Sequence, residues 1–200
     1  MSHNIHVIVL TSCCYLQAGL KGLLAETLIP LRLLQASSTG EVCKQLATTE
    51  AEMIIVARES GTPAGRARTR AQLRHLDWMM SSGAIQKVPC LLLAEDMSIT
   101  LAGKSFRLTR INTALDLEIL VGGILAHPEK YLGMSKWSAL SVQQQAILDG
   151  TLAGLDIYEL AERMNILPHT VFAHRDVLIK KLGLRNRMEL MCLNAQDFTE

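Results

Sequence analysis

Between Arg163 and Met191 six cations (Arg163, Arg175, Lys180, Lys181, Arg185 and Arg187) stand against Asp176 and Glu189, in a chain whose net charge is only +1. Guanidinium and ammonium groups gathered this densely suit phosphate oxygens, which give affinity without sequence information. A second basic stretch holds Arg58, Arg66, Arg68, Arg70 and Arg74 against Glu59. It reads as a solvated or mobile loop, with docking of an acidic partner as the alternative. The 5 cysteines are odd in number and show no CxxC spacing, which points to free thiols in a reducing compartment. Nothing adjacent in sequence would lower the pKa of Cys13 or Cys14, so buried, inert thiols are expected there rather than a redox switch. Glu95 and Asp96 are neighbouring carboxylates, read as a solvated loop rather than a metal site. The chain shows no nucleophile–base arrangement, phosphate-binding glycine loop or metal-ligand spacing. No catalytic residue, cofactor or metal is therefore expected, and the protein is read as not an enzyme.

The elements that must carry these residues divide the chain. Apolar residues make up 49% and charged residues 20% of it, an ordinary globular balance. With 200 residues there is room for two small domains. The longest apolar runs, such as Cys90–Ala94, are far short of the roughly 20 residues a bilayer requires. No signal peptide is read, so a soluble cytoplasmic protein that avoids the membrane is expected. His6–Leu10, Leu31–Leu34, Met53–Val56, Val88–Leu93 and Ser105–Thr109 read as strands. Helical patterns separate them, at Leu16, Leu20, Leu23 and Leu24 and at Gly40–Ala47, and Leu115–Leu125 follows the last. Such alternation implies an α/β domain over residues 1–126 with a five-stranded parallel sheet covered on both faces. Residues 127–138, with Pro128 and Gly133, read as a linker.

Residues 139–200 read as an all-α unit of four helices. Ser141 with Gln144, and Asp156 with Glu159, fit capping boxes that open the first two. Pro168 suits the first position of a third helix, which runs through Val171 and Leu178 to Leu182 and a stop at Gly183. Met188, Leu190, Met191 and Leu193 form a short fourth. Two short helices joined by a tight turn, the second basic at its end, are the plan of a helix-turn-helix. Val171, Leu178 and Leu182 share the inner face of the third helix, with His174 and Arg175 at its margins. His169, Phe172, Ala173, Asp176 and Lys180 point away, toward a groove.

Leu140-Ser141, Gly154, Glu159-Leu-Ala161, Met164, Ile166, Thr170-Val171, His174-Arg175, Lys181-Leu-Gly-Leu184 and Asn186-Arg187, in that order, resemble the LuxR/NarL-type helix-turn-helix signature. The resemblance covers about a quarter of the chain. It implies that the third helix reads the major groove of double-stranded DNA and that the fourth supports dimerisation. The expected DNA contacts are Thr170, Phe172, Ala173, Asp176 and Lys180, with Lys181, Arg185 and Arg187 on phosphates. The chain departs from the family pattern at Leu167, where a Ser or Thr cap is usual, and at Phe172, where Lys is common. It departs also at Val177, where Asn is common, and at Asp176, whose charge repels phosphate. These departures imply weak or altered DNA binding by the chain alone.

A βα domain followed by this unit resembles a response regulator. A phosphorylatable receiver needs carboxylates after the first strand for magnesium, an acceptor Asp after the third, a hydroxyl after the fourth and a Lys after the fifth. Here those places hold Thr11-Ser12-Cys13-Cys14, Ala57-Arg58, Ala94-Glu95 and Thr109-Arg110. The resemblance is to degenerate receivers, which implies a regulator working without phosphorylation. Homodimer and heterodimer with another regulator both fit, and apolar surface on the sheet's helices offers a ligand alternative. A protein-binding adaptor or anti-activator whose helix-turn-helix no longer grips DNA is the rival reading.

Overall fold

The computed structural model describes residues 5–26, 28–57, 62–93, 106–109, 113–132 and 140–198. Short runs of β-branched and apolar residues form β1 (Ile5–Leu10), β2 (Leu31–Ala36), β3 (Met53–Ala57), β4 (Cys90–Leu93) and β5 (Phe106–Thr109). They lie side by side in the order β2-β1-β3-β4-β5, every neighbouring pair parallel. In the register, Val7 sits opposite Leu33 and Met53, and Ile54 opposite Cys90. The chain steps outward from β1 to β2 and then crosses back to β3, the switch of a doubly wound sheet.

Parallel neighbours demand crossovers, and α1 (Cys14–Ala25), α2 (Thr39–Thr48), α3 (Pro63–Ser81) and α4 (Ala114–Ala126) lie along the described chain between and after the strands. Alternate strand residues then separate two cores. Val7, Val9, Met53, Ile55 and Leu91 meet Leu20 and Leu24 of α1 and Leu117 and Val121 of α4. Ile8, Leu10, Ile54, Val56 and Leu92 meet Val42 and Leu46 of α2 and Leu73 and Leu76 of α3. The central strands are buried on both faces, which is why they read as unbroken apolar runs. The expected α/β unit with a parallel sheet, followed by a helical unit, is the observed arrangement.

The helical unit comprises α5 (Val142–Leu152), α6 (Ile157–Met164), α7 (Pro168–Lys181) and α8 (Arg187–Met191). Ser141 and Gln144 exchange side-chain bonds with each other's backbone amides, Gln144 N–H to Ser141 Oγ at 3.2 Å and Ser141 N–H to Gln144 Oε1 at 2.9 Å. Asp156 and Glu159 do the same at the start of α6. Ile147, Leu160, Val171, Leu178 and Leu190 close the core. Asn165 turns the chain between α6 and α7 with φ 50°, a left-handed conformation that its short polar side chain tolerates. Gly183 ends α7 with φ 68°, where a side chain would be strained.

The basic stretch of the first unit differs from its sequence reading. Residues 66–74 are neither a solvated nor a mobile loop but the middle of α3, opened by Thr62 Oγ1, which accepts Gly65 N–H at 3.1 Å, and by Pro63. Arg58 and Glu59 lie outside the described residues. The helix has two apolar faces: Leu73 and Leu76 pack on the sheet, while Ala67 and Ala71 enter the core of the helical unit. Between the small residues, Arg70 pairs with Glu189 at 3.3 Å and Arg68 with Asp197 at 2.8 Å. The acidic partner of the arginines is thus in the same chain. Its carboxylates lie more than a hundred residues away, where no local pattern could reveal them.

Candidate nucleic-acid interface

The inner side of α7 is fixed by Val171, Leu178 and Ile179, all buried against α5 and α6. Its outer side is left to solvent: His169, Phe172, Ala173, Asp176, Val177 and Lys180 are exposed, and His174 is half-buried. Positions 172, 176 and 180 repeat every four residues and so share one stripe. The helix opens at Leu167, whose side chain caps nothing, so Pro168 alone eases the first turn.

Arg175 departs from its expected marginal place. It is only 8% exposed, and its guanidinium carbon lies 4.7 Å from the centre of the Phe172 ring. Its Nε is buried without a hydrogen-bond partner among the described residues. Burial pushes its pKa down from the ordinary value, and the neighbouring Arg187 adds to the effect. The aromatic face therefore holds a cation that lacks full polar compensation. The signal in the sequence is the spacing of Phe172 and Arg175, three residues apart on a helix.

The other expected contacts divide. Thr170 is half-buried in the first turns of α7. Arg185 and Arg187 are exposed around the start of α8, a turn held by polar contacts. Asn186 Oδ1 accepts Glu189 N–H at 3.0 Å, and Glu189 Oε2 accepts Arg185 N–H at 2.8 Å. Lys181 faces inward instead: it is half-buried and donates to Gln144 Oε1 at 2.9 Å, on the capping box of α5. The structure thus gathers Phe172, Ala173, Asp176 and Lys180 on the open face of α7, with Arg185 and Arg187 beyond its end and Lys181 turned to the other side. Among the described residues, α3 packs against the opposite flank of the unit, through α8, and leaves the outer face of α7 exposed.

At the carboxyl ends of the strands, where a receiver holds its magnesium, Thr11 is buried. Its Oγ1 accepts Cys13 N–H at 3.1 Å and its carbonyl accepts Gln17 Nε2 at 3.1 Å. Ala57, the last residue of β3, is also buried. Glu95, Asp96 and Arg110 lie outside the described residues. Among the described residues no group of three or more His, Cys, Asp and Glu could hold a metal ion. The cysteines after β1 are not both buried as expected: Cys14, the first residue of α1, is exposed and Cys13 half-buried, since α1 buries only Leu20 and Leu24 from its later turns. Cys90 is buried, and desolvation, aided by the Asp77 carboxylate, pushes its thiol far up. No described helix is long and apolar enough to cross a membrane.

Residues 138–194 match the family of bacterial regulatory proteins, luxR family. Three solved structures are similar to the chain over most of its length. One is RcsB from Salmonella enterica serovar Typhimurium bound to promoter rprA in the presence of phosphomimetic BeF3-. It shows 13% identity over 94% of this chain and 97% of that one, with a TM-score of 0.43. The response regulator StyR shows 14% identity over 94% and 97%, with a TM-score of 0.41. The response regulator ChrA of a heme-sensing two-component system shows 17% identity over 94% of each chain, with a TM-score of 0.40. No curated protein sequence matches the chain. The sequence match, together with the two capped helices, the Asn165 turn and the basic end of α7, makes residues 138–194 a helix-turn-helix domain of the luxR family.

Proposed function

We propose that the protein is a DNA-binding transcription regulator that acts without phosphorylation. In this reading residues 1–126 are a degenerate receiver-like domain for association, 127–138 a linker and 139–200 the DNA-binding domain. The observation that carries it is the open outer face of α7 on a LuxR-family domain, flanked by Lys180, Arg185 and Arg187. Docked in a major groove, α7 presents Thr170, Phe172, Ala173, Asp176 and Lys180 to base edges and sugars. Arg185 and Arg187 meet phosphates, and Lys181 joins them if it leaves Gln144. Thr11 and Ala57 in place of carboxylates support independence from phosphoryl transfer. The exposed Met188 and Met191 of α8 offer an apolar face for a homodimer or a partner regulator.

Binding of genomic fragments by the purified protein across a salt series, with competitor DNA, tests this. Selective binding that weakens with salt is expected. Binding that is absent, or equal on all sequences at low salt, would overturn it. The adaptor reading is favoured by one observation, the exposed Asp176 in the middle of the face that must approach a polyanion. Asp176→Asn separates the two: a regulator gains DNA affinity, while an adaptor keeps its activity in cells with no DNA binding in either form.

A further inference from the structure

Where α3 meets the helical unit, the packing leaves a cavity of about 420 Å3, within the range of small-molecule sites. It lies on the other side of the domain from the outer face of α7, and nothing in the proposed DNA contact uses it except Lys181. One wall is aromatic: His75 stacks on Trp78 at 5.7 Å between ring centres and meets the edge of Phe198 at 5.7 Å. His75 Nδ1 shares a 2.6 Å hydrogen bond with Thr39 Oγ1, and burial lowers its pKa, so the wall is uncharged near neutrality. Leucines from α5 and the end of α7 face it.

The charged groups lining this cavity are Arg74, Lys181 and Asp149, and the buried Asp77 acts on Arg74 from the same helix. Asp149 is engaged, accepting Gln145 Nε2 at 2.8 Å. Arg74 reaches over the turn that ends α7: a Cβ on Gly183 would lie 3.2 Å from its Nε. A planar apolar body therefore finds rings to stack on, and an anionic group finds a guanidinium and an ammonium from different domains.

We propose that this inter-domain cavity binds a small aromatic carboxylate, its ring system against Trp78 and Phe198 and its carboxylate toward Arg74 and Lys181. Such a ligand touches α3 and the end of α7 together and stabilises their contact by mass action.

The test is calorimetric titration of the full chain, without DNA, using 2-naphthoate and its uncharged analogue 2-naphthamide as probes. Because no DNA is present, failure here is distinct from failure of the proposed function. Saturable one-to-one binding of naphthoate is expected, with naphthamide about tenfold or more weaker for want of a charge-assisted contact. Ala153→Phe fills the cavity from an exposed position at the end of α5 and should abolish binding with the helical circular dichroism unchanged. Arg74→Gln, or Lys181→Gln if the first fails to fold, should bring naphthoate down to the affinity of naphthamide. No saturable heat at millimolar naphthoate, equal affinity for acid and amide, or full binding by Ala153→Phe would each overturn the site.

Discussion

Two helices of this chain, α3 and α7, carry cations of the same kind to opposite ends. On α3, Arg68 and Arg70 are drawn into a contact with the helical unit, where Asp197 and Glu189 receive them. On α7 and in the turn beyond it, Lys180, Arg185 and Arg187 remain in solvent. What separates them is not charge density but the residues alongside. Alanines flank the arginines of α3 and let another helix approach, whereas Phe172, Asp176 and Lys180 on α7 keep packing at a distance. A basic stretch is a binding surface only where the fold has not already supplied its counter-charge.

The largest effect should come from breaking the internal pair. The Arg70 and Glu189 side chains are 10% and 7% exposed, so Arg70→Ala leaves a carboxylate buried without its cation. A loss of about 3 kcal/mol is expected, at the low end for a broken buried pair. Lys180→Ala should change stability by less than about 0.5 kcal/mol. Urea unfolding of both variants checks the contrast, and equal midpoints would erase the distinction between the two helices.

His75 extends the comparison to pH. Burial lowers its pKa from the ordinary 6.5, so acid reaches the unfolded imidazole first. Between 6.5 and the lowered folded value the unfolded chain binds a proton that the folded chain refuses, and stability falls as pH falls. Above 6.5 both states are neutral and the dependence vanishes. The slope from this one group is at most about 1.4 kcal/mol per pH unit. Melting of wild type and His75→Gln from pH 7 to 5 should show the wild type losing stability faster. Parallel curves would mean that the ring is freely hydrated at the domain contact.

Much of this architecture was legible in the residues. β1, β3 and the capping boxes at Ser141 and Asp156 follow from local chemistry, since strand burial and amide capping involve neighbours in sequence. The outer stripe of α7 followed from helical spacing alone. The docking of α3 did not, because it depends on carboxylates 119 residues away from Arg70. For the same reason the cavity between the units and the inward turn of Lys181 to Gln144 leave no trace in the sequence. Arg175 was half legible: its spacing from Phe172 marks a pair, but burial of a guanidinium under a ring needs the packed domain to decide it.

A smaller effect should come from repairing the start of α7. Leu167 stands at the cap with no side-chain bond to the first turn, while Ser141 and Asp156 cap their helices fully. Leu167→Ser should add about 1 kcal/mol, from the hydroxyl accepting an N–H of the first turn. Thermal melting checks it. An unchanged or lowered midpoint would mean that the Leu167 side chain, although 63% exposed, contributes packing that offsets the missing cap.

The smallest effect on the fold belongs to the open cations, and it sharpens the contrast with α3 most directly. Arg185 is exposed, and the bond that orders its turn runs from its backbone N–H to Glu189 Oε2, so Arg185→Ala removes the guanidinium and leaves that bond intact. Stability should move by less than about 0.5 kcal/mol. Affinity for DNA should fall by a similar factor on every sequence, because a phosphate contact carries no sequence information. The plot of log affinity against log salt should lose a slope of about 0.9, the share of one neutralised phosphate. Arg70→Ala tested in the same way should leave the salt slope untouched wherever the protein remains folded, since its cation is already neutralised inside the chain. An unchanged slope for Arg185→Ala would put Arg185 off the phosphate backbone, and a changed slope for Arg70→Ala would show that α3 also faces the DNA.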